Sequence, residues 1–391
     1  MRIRFGELSL FERLEKERLC EGARQAWHCL QRGDDARASE QLAQLDARLE
    51  LTVRRDAARA AHAELSALES SAWPLAELLL AQAPADFEGS LSLGRMAVPL
   101  EVALAEVRAT HDVELARASL RAGFGRGHLL DLTLGVPGGT GSEIEQNAAE
   151  NLVRAVLGDR VFETWIGAVQ VTPAPRSGSL RVFDPLAPRT TLDLSELFDT
   201  VAAAACGVLQ GLPALPRTGD SSAAARGLDG ATAADARDEW TLLETEPLAE
   251  TRGARKDDLI LASTCTPELL RCYLDGSPCA SRRFSRAGEH FVFLSYEDDE
   301  RTMQARVARR TAIETALTSA VARVGAVTGV GLGVKTTYVD LALCNLETGL
   351  ENLVSKLRDL GVPARSFIQF FDTELADEWL SIWPDSLLTE G

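Results

Sequence analysis

The stretch that decides the fold is residues 338–363, which read YVDLALCNLETGLENLVSKLRDLGVP. Apolar side chains alternate from Tyr338 to Cys344, and this period of two is typical of a β-strand. Asn345 is a favoured residue at a helix N-cap. Leucines then recur at helical spacing until Gly361 and Pro363 end the helix. The stretch therefore predicts a strand followed directly by an amphipathic helix.

The flanking sequence extends this pattern in both directions. Phe291 to Tyr296 predicts a strand, and a helix is predicted from about Asp299 to Arg323. A glycine run, 325–333, predicts a flexible connection into the next strand, and Phe367 to Phe371 predicts the last one. The order β-α-(β)-β-α-β is the split βαβ, or ferredoxin-like, arrangement. Right-handed crossovers would place both helices on one face of an antiparallel sheet.

The middle of the chain, residues 126–215, resembles a shortened version of this unit. A capping box at Ser142 and Glu145 predicts a helix, and a second helix is predicted over 194–208. Three short apolar runs predict strands, at Leu129–Leu134, Trp165–Val171 and Leu180–Phe183. The order β-α-β-β-α therefore predicts a second, less regular α/β sandwich.

The first 125 residues predict a helical module. One helix follows the capping box of Ser9 and Glu12, and a second is predicted from Ala36 to Leu68. A third is predicted from Val98 to Leu120. The predicted fold class is α+β, with a helical N-terminal module followed by two ferredoxin-like α/β sandwiches. Its boundaries are a helical module at 1–125, a shortened sandwich at 126–215, a flexible linker at 216–238 and a clearer sandwich at 239–391.

The charge balance restricts the class of partner. The chain has 58 acidic and 41 basic residues, a net charge of −17. This charge disfavours binding to nucleic acid and to anionic membranes, because both are negatively charged and attract basic proteins. It favours association with a basic protein partner. Apolar stretches are too short for a signal peptide or a membrane span, and seven scattered cysteines suit a reducing compartment, so a cytoplasmic location is predicted.

The motifs predict little chemistry. The loop from Gly135 to Ser142 lacks the lysine of a phosphate-binding loop, and Gly329 to Thr336 has the wrong spacing for one. Cys265, Cys272 and Cys279 are seven residues apart, which is not the spacing of a metal site, and they are interpreted as core or surface thiols. The sequence therefore predicts no catalytic residue, no metal and no cofactor.

Two charged runs are given structural interpretations. Glu297 to Glu300 is interpreted as capping the following helix, where negative charge meets the positive end of the helix dipole. Arg282, Arg283 and Arg286 are interpreted as a solvated loop, with an anionic ligand as the alternative.

The segment from Asp372 to Gly391 contains no lysine or arginine. It is predicted to form a short helix that ends before Pro384. In one interpretation, the tryptophans of this helix pack on the adjacent sheet. The other is an acidic, aromatic docking surface. The predicted partner-binding residues are Asp372, Glu374, Asp377, Glu378, Trp379 and Trp383.

These observations favour a non-enzymatic protein-binding protein, a bacterial-type adaptor, regulator or inhibitor of a basic partner. An immunity protein that neutralises a basic toxin is one example. The alternative is an enzyme or small-molecule sensor with a carboxylate-lined cleft between the two α/β units, for which Asp131, Asp340 and Asp372 are candidates. A structural subunit that pairs through leucine faces in residues 9–70 is a third hypothesis. The oligomeric state is not specified by the sequence.

Overall fold

The computed structural model is described here for residues 13–55, 60–87, 89–174, 192–217, 240–247, 255–298, 300, 302–376 and 378–383. The protein is α+β, with N-terminal helices followed by several sheets. The chain divides into two compact units. The N-terminal unit is Leu19–Val208, and the C-terminal unit is Leu209–Gly391 together with Met1–Arg18.

The N-terminal unit begins with two helices and a three-stranded sheet. Trp27 in the first helix is fully buried, and its indole N–H donates to the Leu79 carbonyl oxygen at 2.9 Å. The sheet has the order β1-β2-β3, antiparallel between β1 and β2 and parallel between β2 and β3. The elements are α1 (Arg13–Gln31), α2 (Asp35–Leu45), β1 (Leu49–Arg55), β2 (Ala61–Ala67), α3 (Trp73–Leu80) and β3 (Gly89–Leu93).

The predicted helix from Ala36 to Leu68 is wrong beyond Leu45. The reason is visible in the sequence LELTVRR of β1, where apolar and polar residues alternate with the period of a strand. In β2, Ala61, Ala63 and Leu65 are buried on one face. The short apolar runs of both strands also fit a helical stripe, and the strand pairing outweighs that local pattern.

The remainder of the N-terminal unit is a four-stranded sheet of order β6-β5-β4-β7 with helices. The parallel strands β5 and β6 are joined through two helices. The Ser142 side chain accepts from the Glu145 N–H, so the predicted capping box is confirmed. The elements are α4 (Leu100–His111), β4 (Ser119–Phe124), β5 (Leu130–Val136), α5 (Glu143–Leu157), α6 (Asp159–Trp165), β6 (Ile166–Pro173), β7 (Leu192–Asp193) and α7 (Leu197–Gln210).

The helix predicted to run to Leu120 ends at His111. Asp112 follows in the left-handed conformation, with φ of 54°, and terminates the helix. The residues beyond it enter β4, so the region 1–125 contains four strands as well as helices. The predicted strand Leu180–Phe183 and residues 218–238 of the predicted linker lie outside the described residues.

The C-terminal unit contains a seven-stranded sheet of order β14-β13-β10-β12-β11-β9-β8. Every neighbouring pair of strands is antiparallel. The strands are β8 (Thr241–Glu244), β9 (Leu259–Thr264), β10 (His290–Glu297), β11 (Gly325–Gly333), β12 (Thr336–Leu343), β13 (Ser366–Phe370) and β14 (Trp379–Ser381). The helices are α8 (Arg255–Asp258), α9 (Pro267–Leu274), α10 (Met303–Val321) and α11 (Leu346–Asp359).

The strand and helix predicted within 338–363 are confirmed as β12 and α11. The Asn345 side chain accepts from the Thr348 N–H at 3.0 Å and caps α11. One face of the sheet packs on α10 and α11, with Leu294, Leu341 and Leu353 in the shared core. The opposite face carries an aromatic cluster that packs against α9, formed by Phe291, Phe293, Tyr338 and Phe371.

The glycine run 325–333 is a strand, β11, and not a flexible connection. Gly329, Gly331 and Gly333 alternate on the face opposite the long helices. A Cβ on Gly329 would lie 2.6 Å from the Asp340 carboxylate, and one on Gly333 would lie 1.9 Å from the Asp258 carboxylate. The glycines are therefore required by the close approach of buried carboxylates.

The acidic run Glu297–Glu300 does not provide the cap of α10. That position is occupied by Thr302, whose side chain accepts from the Ala305 N–H. Asp298 instead accepts from the Thr337 hydroxyl at 3.1 Å and lies 3.6 Å from the Arg306 Nε atom. Long-range contacts thus outweigh the helix-end interaction that the sequence favoured.

The predicted C-terminal helix is replaced by a 3-10 turn, Thr373–Leu375, and by the edge strand β14. Strand β14 pairs with β13, so Leu380 and Ile382 enter the core under the helices. No helix within the described ranges is long and apolar enough to cross a membrane.

Candidate functional site

An apolar groove lies at the β8 edge of the C-terminal sheet. It has a volume of about 360 Å³ and lies on the sheet face that carries α10. Helix α10 packs over β11 and β12. The outer strands β8 and β9 form the floor beyond it. The lining residues are Trp240, Leu242, Leu261, Ser263, Arg310, Glu314 and Val330.

Two large apolar side chains of this groove are exposed. Leu242 is 61% exposed and Trp240 is 45% exposed. Leu243, which follows Leu242 in the strand, turns to the opposite face and packs against the aromatic cluster. Strand geometry therefore explains why Leu242 lies in the groove while its neighbour contributes to the core.

The edge of β8 is open in the described part of the sheet. Strand β8 pairs with β9 on its inner side, and no described strand pairs with its outer side. Its last residue, Glu244, is exposed and shares the face of Leu242 by strand alternation. Glu246 beyond it is also exposed, and α10 contributes Glu314. The groove is therefore apolar at its centre and mainly acidic around its edge, with Arg310 as the one basic residue in its lining.

A buried ion pair lies on the opposite face of the same sheet. The Arg255 guanidinium contacts both carboxylate oxygens of Asp340, with N–O distances of 2.6 and 2.9 Å. Both side chains are almost completely buried. The guanidinium carbon lies 4.7 Å from the Phe293 ring centroid and 4.9 Å from that of Tyr338. Each charge is neutralised by its partner, and the Arg255 guanidinium lies against aromatic rings. This arrangement suits a structural role.

Asp258 organises the turn between β11 and β12. Its carboxylate accepts from the N–H groups of Lys335 and Thr336 at 3.0 and 3.1 Å, and from the Tyr338 hydroxyl at 2.9 Å. Burial and the neighbouring Asp258 charge raise the pKa of the Tyr338 hydroxyl. Tyr338 therefore acts as a hydrogen-bond donor and not as an acid at neutral pH.

The three carboxylates predicted for an enzymatic site have different surroundings. Asp131 is exposed on β5. Asp340 is buried and paired with Arg255. Asp372 accepts from the Ser281 N–H at 2.6 Å and from the Ser281 hydroxyl. The carboxylate-lined cleft stays a prediction.

The predicted partner-binding residues near the C-terminus are only partly available to a partner. Glu378 is buried, and Asp377 lies outside the described residues. Trp379 is half-buried and meets the Phe367 ring edge-to-face at 5.4 Å. The Trp383 indole N–H donates to the Val362 carbonyl at 3.0 Å. Their role in binding stays a prediction.

The remaining two predicted residues of this segment also make intramolecular contacts. Glu374 lies 3.9 Å from the Arg282 guanidinium, and Asp372 bonds to Ser281 as described above. Arg283 is completely buried, so the interpretation of the arginine cluster as a solvated loop is wrong for this residue. Arg282 and Arg286 are exposed, as predicted.

Arg283 lies beside two buried thiols. Its guanidinium is 3.6 Å from the Cys272 sulfur and also donates to the Pro278 carbonyl. A hydrogen bond from Cys279, opposed by burial and assisted by the Arg283 charge, lowers the pKa of Cys272 to about 7. The sequence did not predict that the two thiols meet, because their spacing matches no known motif.

A second groove, of about 460 Å³, lies in the N-terminal unit between α4 and α5. Its charged side chains are already paired, Arg95 with Glu106 and Arg154 with Glu163. His111 in its lining bonds to the Asn151 amide at 2.8 Å. These pairings leave the groove a weaker candidate than the one beside β8.

No match was found among protein-family models, curated proteins or solved structures. No group of acidic, histidine or cysteine side chains in the described ranges could hold a metal ion.

Proposed function

We propose that the protein is a non-enzymatic binding protein whose C-terminal unit takes up an extended segment of a basic protein partner along β8. The observation that carries the proposal is the exposure of Leu242 and Trp240 at an open sheet edge beside a groove. An exposed edge strand presents unpaired N–H and C=O groups. A partner strand added there would satisfy these groups, which is a common mode of peptide recognition.

The side chains support a particular kind of segment. Alternate residues of an added strand point to the same face, so apolar residues at alternate positions would pack beside Leu242 on the face that carries the groove. A lysine or arginine at its end would lie near Glu244 or Glu314. The net charge of −17 would further accelerate the approach of a basic partner.

The C-terminal strand order and the acidic charge support the fold and the class of partner. The β10-α10-β11-β12-α11-β13 region has the spatial strand order β13-β10-β12-β11. This order supports a ferredoxin-like unit. A cytoplasmic adaptor, regulator or inhibitor, for example an immunity protein against a basic toxin, is consistent with the acidic charge. The same charge argues against nucleic acid and anionic membranes as partners.

The proposal is tested by selecting peptides from a random displayed library on the immobilised full-length protein. We expect enriched peptides with apolar residues at alternate positions and at least one lysine or arginine. Leu242→Lys would place a charge in the groove and should weaken binding of an enriched synthetic peptide at least tenfold in fluorescence anisotropy, about 1.4 kcal/mol.

Leu360→Lys is the matched control. Leu360 is also an exposed leucine of the C-terminal unit, but it lies at the end of α11 and outside the groove. Affinity should be unchanged in this variant. Absence of enriched peptides, or equal affinity of the wild type and Leu242→Lys, would overturn the proposal.

A further inference from the structure

Cys272 and Cys279 meet inside the C-terminal unit. Cys272 lies on α9 and Cys279 lies in the loop after it. Their sulfur atoms lie 3.7 and 3.5 Å from the same carbonyl oxygen, that of Ser277. The Cys272 sulfur also lies 3.4 Å from the Pro278 carbonyl oxygen. The chain therefore turns back on itself between the two cysteines and brings both thiols to one carbonyl oxygen.

The surroundings distinguish the two thiols. Arg283 places its positive charge 3.6 Å from the Cys272 sulfur, where it stabilises a thiolate. The hydrogen bond with Cys272 and burial raise the pKa of Cys279, so this partner keeps its proton. The geometry thus places one thiol beside a cation that favours its thiolate form and a second thiol at the same carbonyl oxygen, an order that suits an attacking and a resolving cysteine.

We propose that Cys272 and Cys279 form a redox-active dithiol that hydrogen peroxide converts to a disulfide. The Cys272 thiolate attacks one peroxide oxygen, the O–O bond breaks, and the leaving oxygen takes a proton to become water. Cys272 is then a sulfenic acid. The Cys279 sulfur displaces its hydroxyl group, an S–S bond forms, and a second water leaves with the Cys279 proton. Two thiols are oxidised and one peroxide is reduced to two waters.

The loop between the cysteines allows this closure. Gly276 has a φ of +70° and forms the turn after α9. The loop also connects to the chain near β14, because the Cys279 N–H donates to the Thr373 hydroxyl at 2.7 Å. Disulfide formation would remove the thiolate that faces Arg283 and leave this buried cation without that negative partner. We therefore expect oxidation to loosen the contacts of the 278–283 segment.

The test treats the folded full-length protein with hydrogen peroxide and then alkylates the remaining thiols under denaturing conditions. Peptide mass spectrometry should show a linked Cys272–Cys279 pair that has lost two hydrogen atoms and is restored by dithiothreitol. The oxidation rate should rise with pH and level off above about 7, the pKa of Cys272. A rate that rises steadily to pH 9, as for an ordinary thiol, would overturn the assignment of Cys272 as the attacking group.

Variants separate the two roles. Cys279→Ser should stop at a sulfenic acid on Cys272 that a dimedone reagent traps, whereas Cys272→Ser should leave Cys279 reduced. Cys344→Ser, a control at a half-buried thiol elsewhere in the unit, should still form the disulfide. The proposal is overturned if both thiols of the folded wild type remain alkylatable, or if peroxide links either one to another cysteine.

Discussion

A Cβ atom placed on Gly333 would lie 1.9 Å from the Oδ2 atom of Asp258. The carboxylate cannot move away cheaply, because it accepts hydrogen bonds from Lys335, Thr336 and Tyr338. The glycine at this position therefore allows a buried acid to anchor the β11–β12 turn. The sequence analysis interpreted the glycine run of β11 as a flexible connection, whereas the structure places it against the polar groups of the β11–β12 turn.

Gly333→Ala should destabilise the C-terminal unit. The added methyl group overlaps a carboxylate fixed by three donors, and overpacking of this kind costs about 1–3 kcal/mol. Urea unfolding followed by circular dichroism measures the loss. Gly123→Ala is the control, because a Cβ there meets open space. Equal stability of the Gly333→Ala variant and the wild type would show that Asp258 is not held as described.

Asp340→Ala should lower the free energy of unfolding by more than Gly333→Ala does. It leaves the Arg255 cation buried among aromatic rings, and breaking a buried pair from one side costs about 3–5 kcal/mol. The double variant Arg255→Met with Asp340→Ala should recover part of this loss, because no isolated charge remains. Unfolding free energies of both single variants and the double variant complete the cycle. Strictly additive losses would contradict a direct interaction between the two residues.

The stability of the N-terminal unit should depend on Asp46 in acid. The Arg48 side-chain hydrogen bond holds the pKa of Asp46 below its ordinary value of 3.8, against the opposing effect of burial. The folded-state pKa is lower than the unfolded one, so the stabilisation is complete above pH 3.8 and is lost as pH falls through the folded-state pKa.

Asp46→Asn should therefore be less stable than the wild type at pH 7, by about 1 kcal/mol. This difference should shrink below pH 3.8. Urea midpoints measured from pH 7 to pH 3 test the sign. A stability difference that grows in acid would show that the Asp46–Arg48 contact has been assigned wrongly.

Trp379→Ala separates the two candidate docking surfaces. It removes an edge-to-face contact with Phe367, so a stability loss of about 1 kcal/mol is expected. Affinity for a peptide selected on the full-length protein should not change, because Trp379 lies at the opposite edge of the sheet from β8. A tenfold loss of affinity without unfolding would favour the acidic, aromatic segment as the binding surface.

The sequence predicts the centre of the C-terminal sheet well. Strands β10, β12 and β13 are rich in apolar and aromatic residues, and α11 has both a capping residue and a leucine stripe. These are local signals, and local propensity agrees there with the final packing. The same reasoning fails for β11, because its glycines are required by the buried carboxylates of Asp258 and Asp340, which lie on other elements.

The candidate sites depend on side-chain contacts that local sequence patterns do not predict. Arg255 and Asp340 are 85 positions apart, and Cys272 meets Cys279 only because the loop turns back. Strand β8 has four residues, too few for a reliable alternation. The significance of its exposed Leu242 depends on the place of the strand at the edge of the described sheet.

The central claim, strand addition at β8, is tested most directly by hydrogen–deuterium exchange of the full-length protein with and without a saturating selected peptide. A partner strand would hydrogen-bond to the outward N–H groups of β8 and slow their exchange. We predict protection in Thr241–Glu244 that is lost with Leu242→Lys. Unchanged exchange in β8, with protection confined to the residues from Asp372 to Trp383, would contradict it.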